Sequence, residues 1–310
     1  MNHDQPEQIT CGFVALVGPP NAGKSTLLNR LLGQKISIVS PKPQTTRNRI
    51  LGVFNEADSQ IVFLDTPGLH QARSRLNSEM VKIARNTVSE VDVVAYMIDV
   101  TAPEAENRPE KRKEAARLLQ WADRPALLLC NKIDRISKEK LLPLIAAWQD
   151  AYPFAAIIPL SALTGEGQDI LLTELRRLLP RGPRLFPEDI PTDASERFIC
   201  AEIIREKIML LTRDELPYST AVAIEHFREN PARNLTTIHA TIMVEKDSQK
   251  GIIIGKKGTM LRRIGQAARE EIEVMLDRQV LLKLWVKVQK NWTGNIRILR
   301  ELGIQESDRQ

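Results

Sequence analysis

Residues 18–25, Gly18-Pro19-Pro20-Asn21-Ala22-Gly23-Lys24-Ser25, place two glycines five positions apart and follow the second with a lysine and a hydroxyl. The pattern GxxxxGK[ST] directly after an apolar run and at the start of a helical pattern is a phosphate cradle. Gly18 and Gly23 let the backbone wrap closely, so that successive N–H groups, with Thr26 behind them, face phosphate oxygens. Lys24 neutralises β- and γ-phosphates, and the Ser25 hydroxyl is placed for Mg²⁺.

Two further clusters complete this chemistry. Asp65-Thr66-Pro67-Gly68 closes the apolar run Ile61–Leu64. Asp65 at that position reaches a metal ion through its hydration shell, and the Gly68 amide can sense a γ-phosphate. Asn131-Lys132-Ile133-Asp134 follows the run Ala126–Cys130. The Asp134 carboxylate can accept from both N1–H and the exocyclic amine of guanine. Adenine would leave that carboxylate unpaired, at a cost of about 1–3 kcal/mol or more. Asn131 can tie this loop to the phosphate loop, and the Lys132 stem can cover the base. Ser161-Ala162-Leu163, after the next apolar run, supplies a backbone N–H for the guanine carbonyl. The ligand these groups fit is GTP, or GDP after hydrolysis, with Mg²⁺.

A second kind of chemistry lies near the C-terminal end. Ile252-Ile253-Ile254-Gly255-Lys256-Lys257-Gly258 puts a GxxG between two helical patterns. Such a loop clamps the backbone of about four single-stranded nucleotides. Ile254, Gly255, Lys256, Lys257 and Gly258 are the candidate RNA-contacting residues, with Arg262 and Arg263 on the helix that follows and the Ile252–Ile254 face as the groove for bases. From Lys246 to Arg300 there are 13 Lys or Arg against 5 Asp or Glu, a local balance of +8 in a chain whose net charge is +5. The remainder is therefore 5 − 8 = −3. A charge excess held in one segment suits a polyanion. Trp285 and Trp292 could stack on bases, although the alternation around Trp285 predicts that it packs beneath a terminal helix over 295–302.

These loops need scaffolds. Apolar runs at Phe13–Val17, Ile61–Leu64, Val91–Ile98, Ala126–Cys130 and Ala156–Leu160 read as strands buried on both faces. They alternate with helical patterns at Lys24–Leu32, Ser74–Val88, Glu110–Trp121, Lys138–Trp148 and Asp169–Leu179. This predicts an α/β domain over 11–180, with a mostly parallel sheet and helices on both faces, and with ligands at the carboxyl ends of the strands. Residues 1–10 read as a tail. Pro180, Pro183, Pro187 and Pro191 deny 181–195 a helix or a central strand, so this stretch reads as a linker. A second, α+β domain is expected over 196–303: helix Ala194–Leu211, strands Ala221–Phe227 and Thr236–Glu245, two helices within Ile252–Met275, then the strand Val280–Val288. Residues 304–310 form a short tail.

At 310 residues, 43% hydrophobic and 27% charged, the composition is that of globular domains rather than a disordered chain. The residues 1–10 lack a signal-peptide pattern, and the longest apolar runs fall well short of the roughly twenty residues that span a bilayer. Cys11, Cys130 and Cys200 stand apart in apolar runs and read as buried, reduced thiols, pointing to the cytosol.

In these three motifs the chain resembles the translation-factor-related class of small GTPases. Gln44-Thr45-Thr46-Arg47 looks like that class's first switch, in which one threonine, Thr46 in preference to Thr45, binds Mg²⁺ in the GTP state. Lys24 and Thr46 are thus the catalytic candidates, and Ser25, Thr46 and Asp65 the metal set. Many regulatory GTPases carry a water-orienting glutamine after the DxxG glycine. Leu69 stands there and predicts slow intrinsic hydrolysis, for which relatives with PNxGKS can compensate by holding K⁺ through the asparagine, here Asn21. His70 reads as a solvated loop histidine and Asp99 as structural.

The order GTPase domain, proline-broken segment, KH-like domain resembles the bacterial Era family over residues 11 to about 303, as do Glu202–Lys207, Glu215–Ser219 and Leu284–Val288. The resemblance implies binding near the 3′ end of 16S ribosomal RNA, a role in assembly of the small ribosomal subunit and rRNA maturation, and peripheral association with the inner face of the cytoplasmic membrane. A competing expectation is a regulatory GTPase whose basic domain binds a protein or an anionic membrane surface; the GxxG loop and its apolar groove argue against it. A tRNA-modifying GTPase would need catalytic machinery for which no cysteine or metal constellation is present.

Overall fold

The computed structural model describes residues 8–69, 74–102, 108–213 and 216–304, which form two compact units. Of these residues, 8–37, 46–69 and those within 80–193 make up the first; 38–45, 74–79 and those within 194–304 make up the second.

In the first unit the elements run β1 (Ile9–Val17), α1 (Lys24–Leu32), β2 (Ile50–Asn55), β3 (Ser59–Asp65), α2 (Arg75–Ser89, shared with the second unit), β4 (Val93–Asp99), α3 (Pro109–Ala122), β5 (Ala126–Asn131), α4 (Lys138–Gln149), β6 (Ala156–Leu160), α5 (Gln168–Leu178) and β7 (Arg181–Gly182). The sheet order is β2-β3-β1-β4-β5-β6, parallel from β3 to β6, with β2 antiparallel on β3. Every residue of β3 and β5 is buried, which requires cover on both faces and explains their unbroken apolar runs. The parallel order brings the carboxyl ends of β1, β3, β5 and β6 to one rim, and there the motif loops begin.

Two features depart from the sequence expectation. Ile50–Asn55 is a strand, its first four residues buried, added antiparallel to the edge of the sheet. The proline-broken stretch, expected to be a linker, is bonded to the first unit along much of its length. Arg181 and Gly182 pair with Thr10 and Ile9. Gln60 accepts the amides of Leu185 and Phe186 at 2.7 and 2.9 Å and donates to the Phe186 carbonyl at 2.8 Å. Val53 donates to the Pro191 carbonyl at 2.8 Å, and Thr192 Oγ1 donates to the Leu51 carbonyl at 2.6 Å. The prolines forbid a helix but leave carbonyls free to accept.

In the second unit, α6 (Glu196–Leu211), β8 (Ala221–Asn230), β9 (Leu235–Val244), α7 (Asp247–Ile254), α8 (Thr259–Leu276), β10 (Gln279–Val288) and α9 (Ile296–Glu301) follow one another. The sheet order is β10-β9-β8, with β8 antiparallel and β10 parallel to β9. Ile203, Ile204 and Ile208 of α6, Ile253 of α7 and Ile264, Ala268 and Ile272 of α8 pack on Ile238, Ala240, Ile242, Val280, Leu282 and Leu284, so the helices cover one face of this sheet. Trp292 is fully buried, and its Nε1 donates to the Ser219 carbonyl at 2.9 Å. Trp285 does not pack away as expected: it is 48% exposed on the other face of β10. Among the described residues no helix is long and apolar enough to cross a membrane. The three cysteines are buried and unpaired; burial pushes the thiols of Cys130 and Cys200 up to about 12.

Candidate functional site

The loop after β1 is shaped by two glycines that nothing larger could replace. Gly18 has φ +145°, and a Cβ there would lie 2.1 Å from the Met97 carbonyl oxygen. At Gly23, φ is +107°, and a Cβ would lie 2.1 Å from Asn131 Nδ2. Pro19, Pro20, Asn21 (φ +60°) and Ala22 complete the turn, and Lys24, Ser25 and Thr26 open α1, whose first amides face the loop. Lys24 is buried and its Nζ donates to the carbonyls of Gly18 and Pro19 at 3.2 and 3.0 Å. Burial lowers its pKa to about 8, against the upward pull of the Asp65 charge.

Three hydroxyls converge on the end of β3. Ser25 Oγ donates to Asp65 Oδ2 at 2.6 Å, Ser37 Oγ donates to the same oxygen at 2.9 Å, and Ser25 Oγ lies 2.9 Å from Thr46 Oγ1. Burial raises the Asp65 pKa, opposed by the Lys24 charge and by these hydroxyls. Asp65 Oδ1 is buried with no hydrogen-bond partner among the described residues. A hard oxygen set with one unpaired carboxylate oxygen fits Mg²⁺. Thr45 is placed otherwise: its Oγ1 donates to the Lys42 carbonyl at 2.7 Å and lies 2.8 Å from Ser40 Oγ. Ser37 was invisible to sequence reasoning, because a serine in an apolar stretch outside any motif carries no signal of its own.

The Asp65–Gly68 loop is pressed against the phosphate loop. Thr66 donates from its amide and Oγ1 to the Leu16 carbonyl at 3.3 and 2.8 Å, and the Leu69 amide donates to the Gly18 carbonyl at 3.0 Å. Pro67 and Gly68 are buried, and a Cβ on Gly68 would lie 2.7 Å from Pro20 Cα. The Leu69 side chain packs on the core. His70 lies outside the described residues.

Beyond β5 and β6 the third cluster assembles. Asn131 is buried; its Nδ2 donates to the Ala22 carbonyl at 2.6 Å and its Oδ1 accepts the Ala162 amide at 2.9 Å, so one side chain joins three loops. Lys132, at φ +73°, sets its Nζ 2.5 Å from Asp99 Oδ2, while Asp99 Oδ1 accepts the amide and hydroxyl of Thr101 at 2.8 and 2.6 Å. Asp99, read from sequence as structural, is thus the group that aims Lys132. Asp134 sits on a short 3-10 turn at the rim, with Arg135 Nε 3.8 Å away. The Ser161 amide donates to the Glu166 carbonyl at 2.9 Å, so both this amide and that of Ala162 have protein partners.

In the second unit, α7 ends at Ile254 and α8 begins at Thr259. Between them Gly255 and Gly258 take φ +71° and +77°, and Lys257 takes φ +51°. A Cβ on Gly255 would meet Met260 Cβ at 2.8 Å, whereas one on Gly258 would meet nothing within 4 Å; Gly258 is required by its backbone alone. Lys256, Lys257, Arg262 and Arg263 are exposed. Of the three isoleucines, Ile253 turns into the core, Ile252 is exposed and Ile254 is half-buried, so the expected apolar groove keeps only the outer two.

The curated relatives decide which family this is. "GTPase Era" of Geobacter metallireducens is 54% identical over 94% of this chain and 97% of its own length, and that of Syntrophus aciditrophicus is 51% identical over 95% of each. The chain belongs to the GTPase Era family. Residues 13–132 match the 50S ribosome-binding GTPase family and residues 215–293 the KH domain family. Aquifex aeolicus Era bound to GDP and AlF₄⁻ is 43% identical, with a TM-score of 0.91 over 96% of this chain and all of that one. A solved structure of Era in complex with MgGDPNP and nucleotides 1506–1542 of 16S ribosomal RNA superposes equally well, with the same identity, TM-score and coverage. The chain is a GTPase with a KH domain: the first unit carries the nucleotide-binding fold and the second the RNA-binding fold.

Proposed function

We propose that this chain hydrolyses GTP as a switch while its KH domain binds the single-stranded 3′ region of 16S rRNA, and that it acts in assembly of the small ribosomal subunit and maturation of that RNA. The observation that carries the reading is the pairing of a guanine-nucleotide loop set with a glycine-turned, lysine-bearing GxxG loop, on a chain 43% identical to a relative solved with both MgGDPNP and 16S rRNA. Lys24 would neutralise the β- and γ-phosphates as the loop amides of residues 18–26 hold their oxygens. Ser25, Thr46 and Asp65 would hold Mg²⁺, whose charge offsets that developing on the phosphate oxygens. The Gly68 amide would sense the γ-phosphate, with Leu69 beside it unable to orient water. Asn21 would hold K⁺. Asp134 would select guanine, Lys132 would cover the base, and in the Ser161–Ala162 segment the Ala162 amide, now donating to Asn131 Oδ1 at 2.9 Å, would share its hydrogen with the guanine carbonyl. Ile254, Gly255, Gly258, Lys256, Lys257, Arg262 and Arg263 would hold the RNA backbone.

The reading places the protein in the cytoplasm; the +8 segment would also support peripheral contact with an anionic inner leaflet. The test is binding of a single-stranded RNA carrying the 3′ end of 16S rRNA. The Lys256→Asp/Lys257→Asp double variant should lose that RNA, by repulsion of phosphates, and keep wild-type GTP turnover. Unchanged RNA affinity would remove the GxxG loop from the site.

A further inference from the structure

The face of the second unit's sheet that the helices leave open carries a row of aromatic and basic residues. Parallel register sets Lys283 opposite His239 and Trp285 opposite Thr241, and the antiparallel pair sets His226 opposite His239. The rings meet across the strands: His226 and His239 have centroids 5.1 Å apart, and His239 meets Trp285 edge-on at 5.2 Å. Trp285 remains 48% exposed, and Leu281, further along the same face of β10, is exposed as well. Lys283 and Lys287 flank Trp285 along the edge strand β10, and Arg228 lies beyond His226 on β8; all three are exposed. None of these three cations has a salt-bridge partner among the described residues. The carboxylate of this face, Glu225, is held by the Thr241 hydroxyl at 2.6 Å.

A solvent-facing sheet surface needs neither a tryptophan nor a row of rings to be stable; five of the seven apolar residues of β10, Val280, Leu282, Leu284, Val286 and Val288, already face the core. Exposed aromatics interleaved with unpaired cations are the composition that holds single-stranded nucleic acid, with rings stacking on bases and cations following the phosphates. We infer that this outer face, with Trp285 as the stacking residue, is a second contact for single-stranded RNA, separate from the GxxG loop. Charge complementarity commits it to RNA rather than to a protein, since the free side chains of the row carry positive charge. The inference rests on the reading that this domain binds single-stranded RNA. It adds that a strand longer than the roughly four nucleotides held by GxxG continues over the edge of β10 onto this face.

The experiment uses the full chain with Trp121→Phe, because Trp121 and Trp285 are the exposed tryptophans while Trp148 and Trp292 are buried. A strand of about twenty nucleotides should quench the remaining exposed fluorescence, and a tetranucleotide that saturates the GxxG loop should not. Trp285→Ala should bind the longer strand about tenfold more weakly and the tetranucleotide unchanged, with Trp285→Phe close to wild type. The absence of quenching together with equal affinity of wild type and Trp285→Ala for the longer strand would overturn the inference and leave the face to a protein partner. The quenching is read on protein that keeps Trp285, so it decides the matter even if Trp285→Ala folds poorly. Failure of the GxxG reading would look different: tetranucleotide binding would be indifferent to Lys256→Asp/Lys257→Asp.

Discussion

Asn131 Nδ2 donates to the Ala22 carbonyl at 2.6 Å, so the loop that would choose the base is fastened to the loop that would hold the phosphates. The same side chain accepts the Ala162 amide. Asn131→Ala would leave a carbonyl and an N–H buried without partners, each costing about 1–3 kcal/mol. Its melting temperature should fall by several degrees and its GDP affinity by more than tenfold, read by calorimetry and nucleotide titration.

Asp134 makes the contrasting case. It stands at the rim with Arg135 as its near charge, so Asp134→Asn should leave the melting temperature unchanged. GTP affinity should drop and xanthosine triphosphate affinity should rise, because the amide now donates to the extra carbonyl of xanthine. Wild-type GTP affinity in this variant would displace Asp134 from the base site.

Asn21 tests the monovalent ion. Its φ of +60° is tolerated by glycine, so Asn21→Gly removes the amide oxygen without straining the turn. Exchange of Na⁺ for K⁺ should raise GTP turnover of the wild type severalfold and leave Asn21→Gly unmoved. An equal response of both proteins would exclude Asn21 as the ligand.

The thiols give a pH prediction with a definite sign. Burial pushes Cys130 and Cys200 up to about 12 from 9.0, so the folded chain keeps protons that the unfolded chain releases. Their contribution to stability is complete below pH 9 and is lost as pH rises toward 12. The melting temperature should decline through the alkaline range, less so in a Cys130→Ala/Cys200→Ala variant. At pH 8 a thiol reagent should find none of the three cysteines in the native protein and all three after denaturation.

What could be read from the sequence was whatever is local. The phosphate loop and the GxxG turn need glycines at fixed spacing, and positive φ at Gly23, Gly255 and Gly258 is the cause of that spacing. Ile50–Asn55 escaped because a short apolar run at a sheet edge shows neither period, and only pairing with β3 makes it a strand. The stretch 181–193 escaped because its partners, Gln60, Val53 and Leu51, are more than a hundred residues away. Trp285 was misplaced for a related reason: alternation separates two faces of a strand but does not say which elements cover the outer one.

Nucleotide and RNA can communicate through the first switch. Thr46 sits on Ser25, while its sequence neighbour Thr45 belongs to the second unit. In that unit the buried Arg205 of α6 donates to the Thr45 carbonyl, Glu206 accepts the Val39 amide at 2.9 Å, and Lys42 donates to the Thr212 carbonyl. Residues 38–45 are therefore held by the helix that packs under the KH sheet, and Thr46, next in the chain, is where a Mg²⁺-bound γ-phosphate would pull. GTP and GDP should then give different RNA affinities, about tenfold apart, and by linkage RNA should shift the preference for GTP over GDP by the same factor. Arg205→Gln removes the charge that grips Thr45 while leaving the GxxG loop intact. RNA affinity measured at fixed salt with GDP and with a non-hydrolysable GTP analogue should differ in the wild type, and the ratio should move toward one in Arg205→Gln. A ratio of one in the wild type would mean that the two domains are only tethered. A full ratio in Arg205→Gln would mean that the signal does not pass through α6.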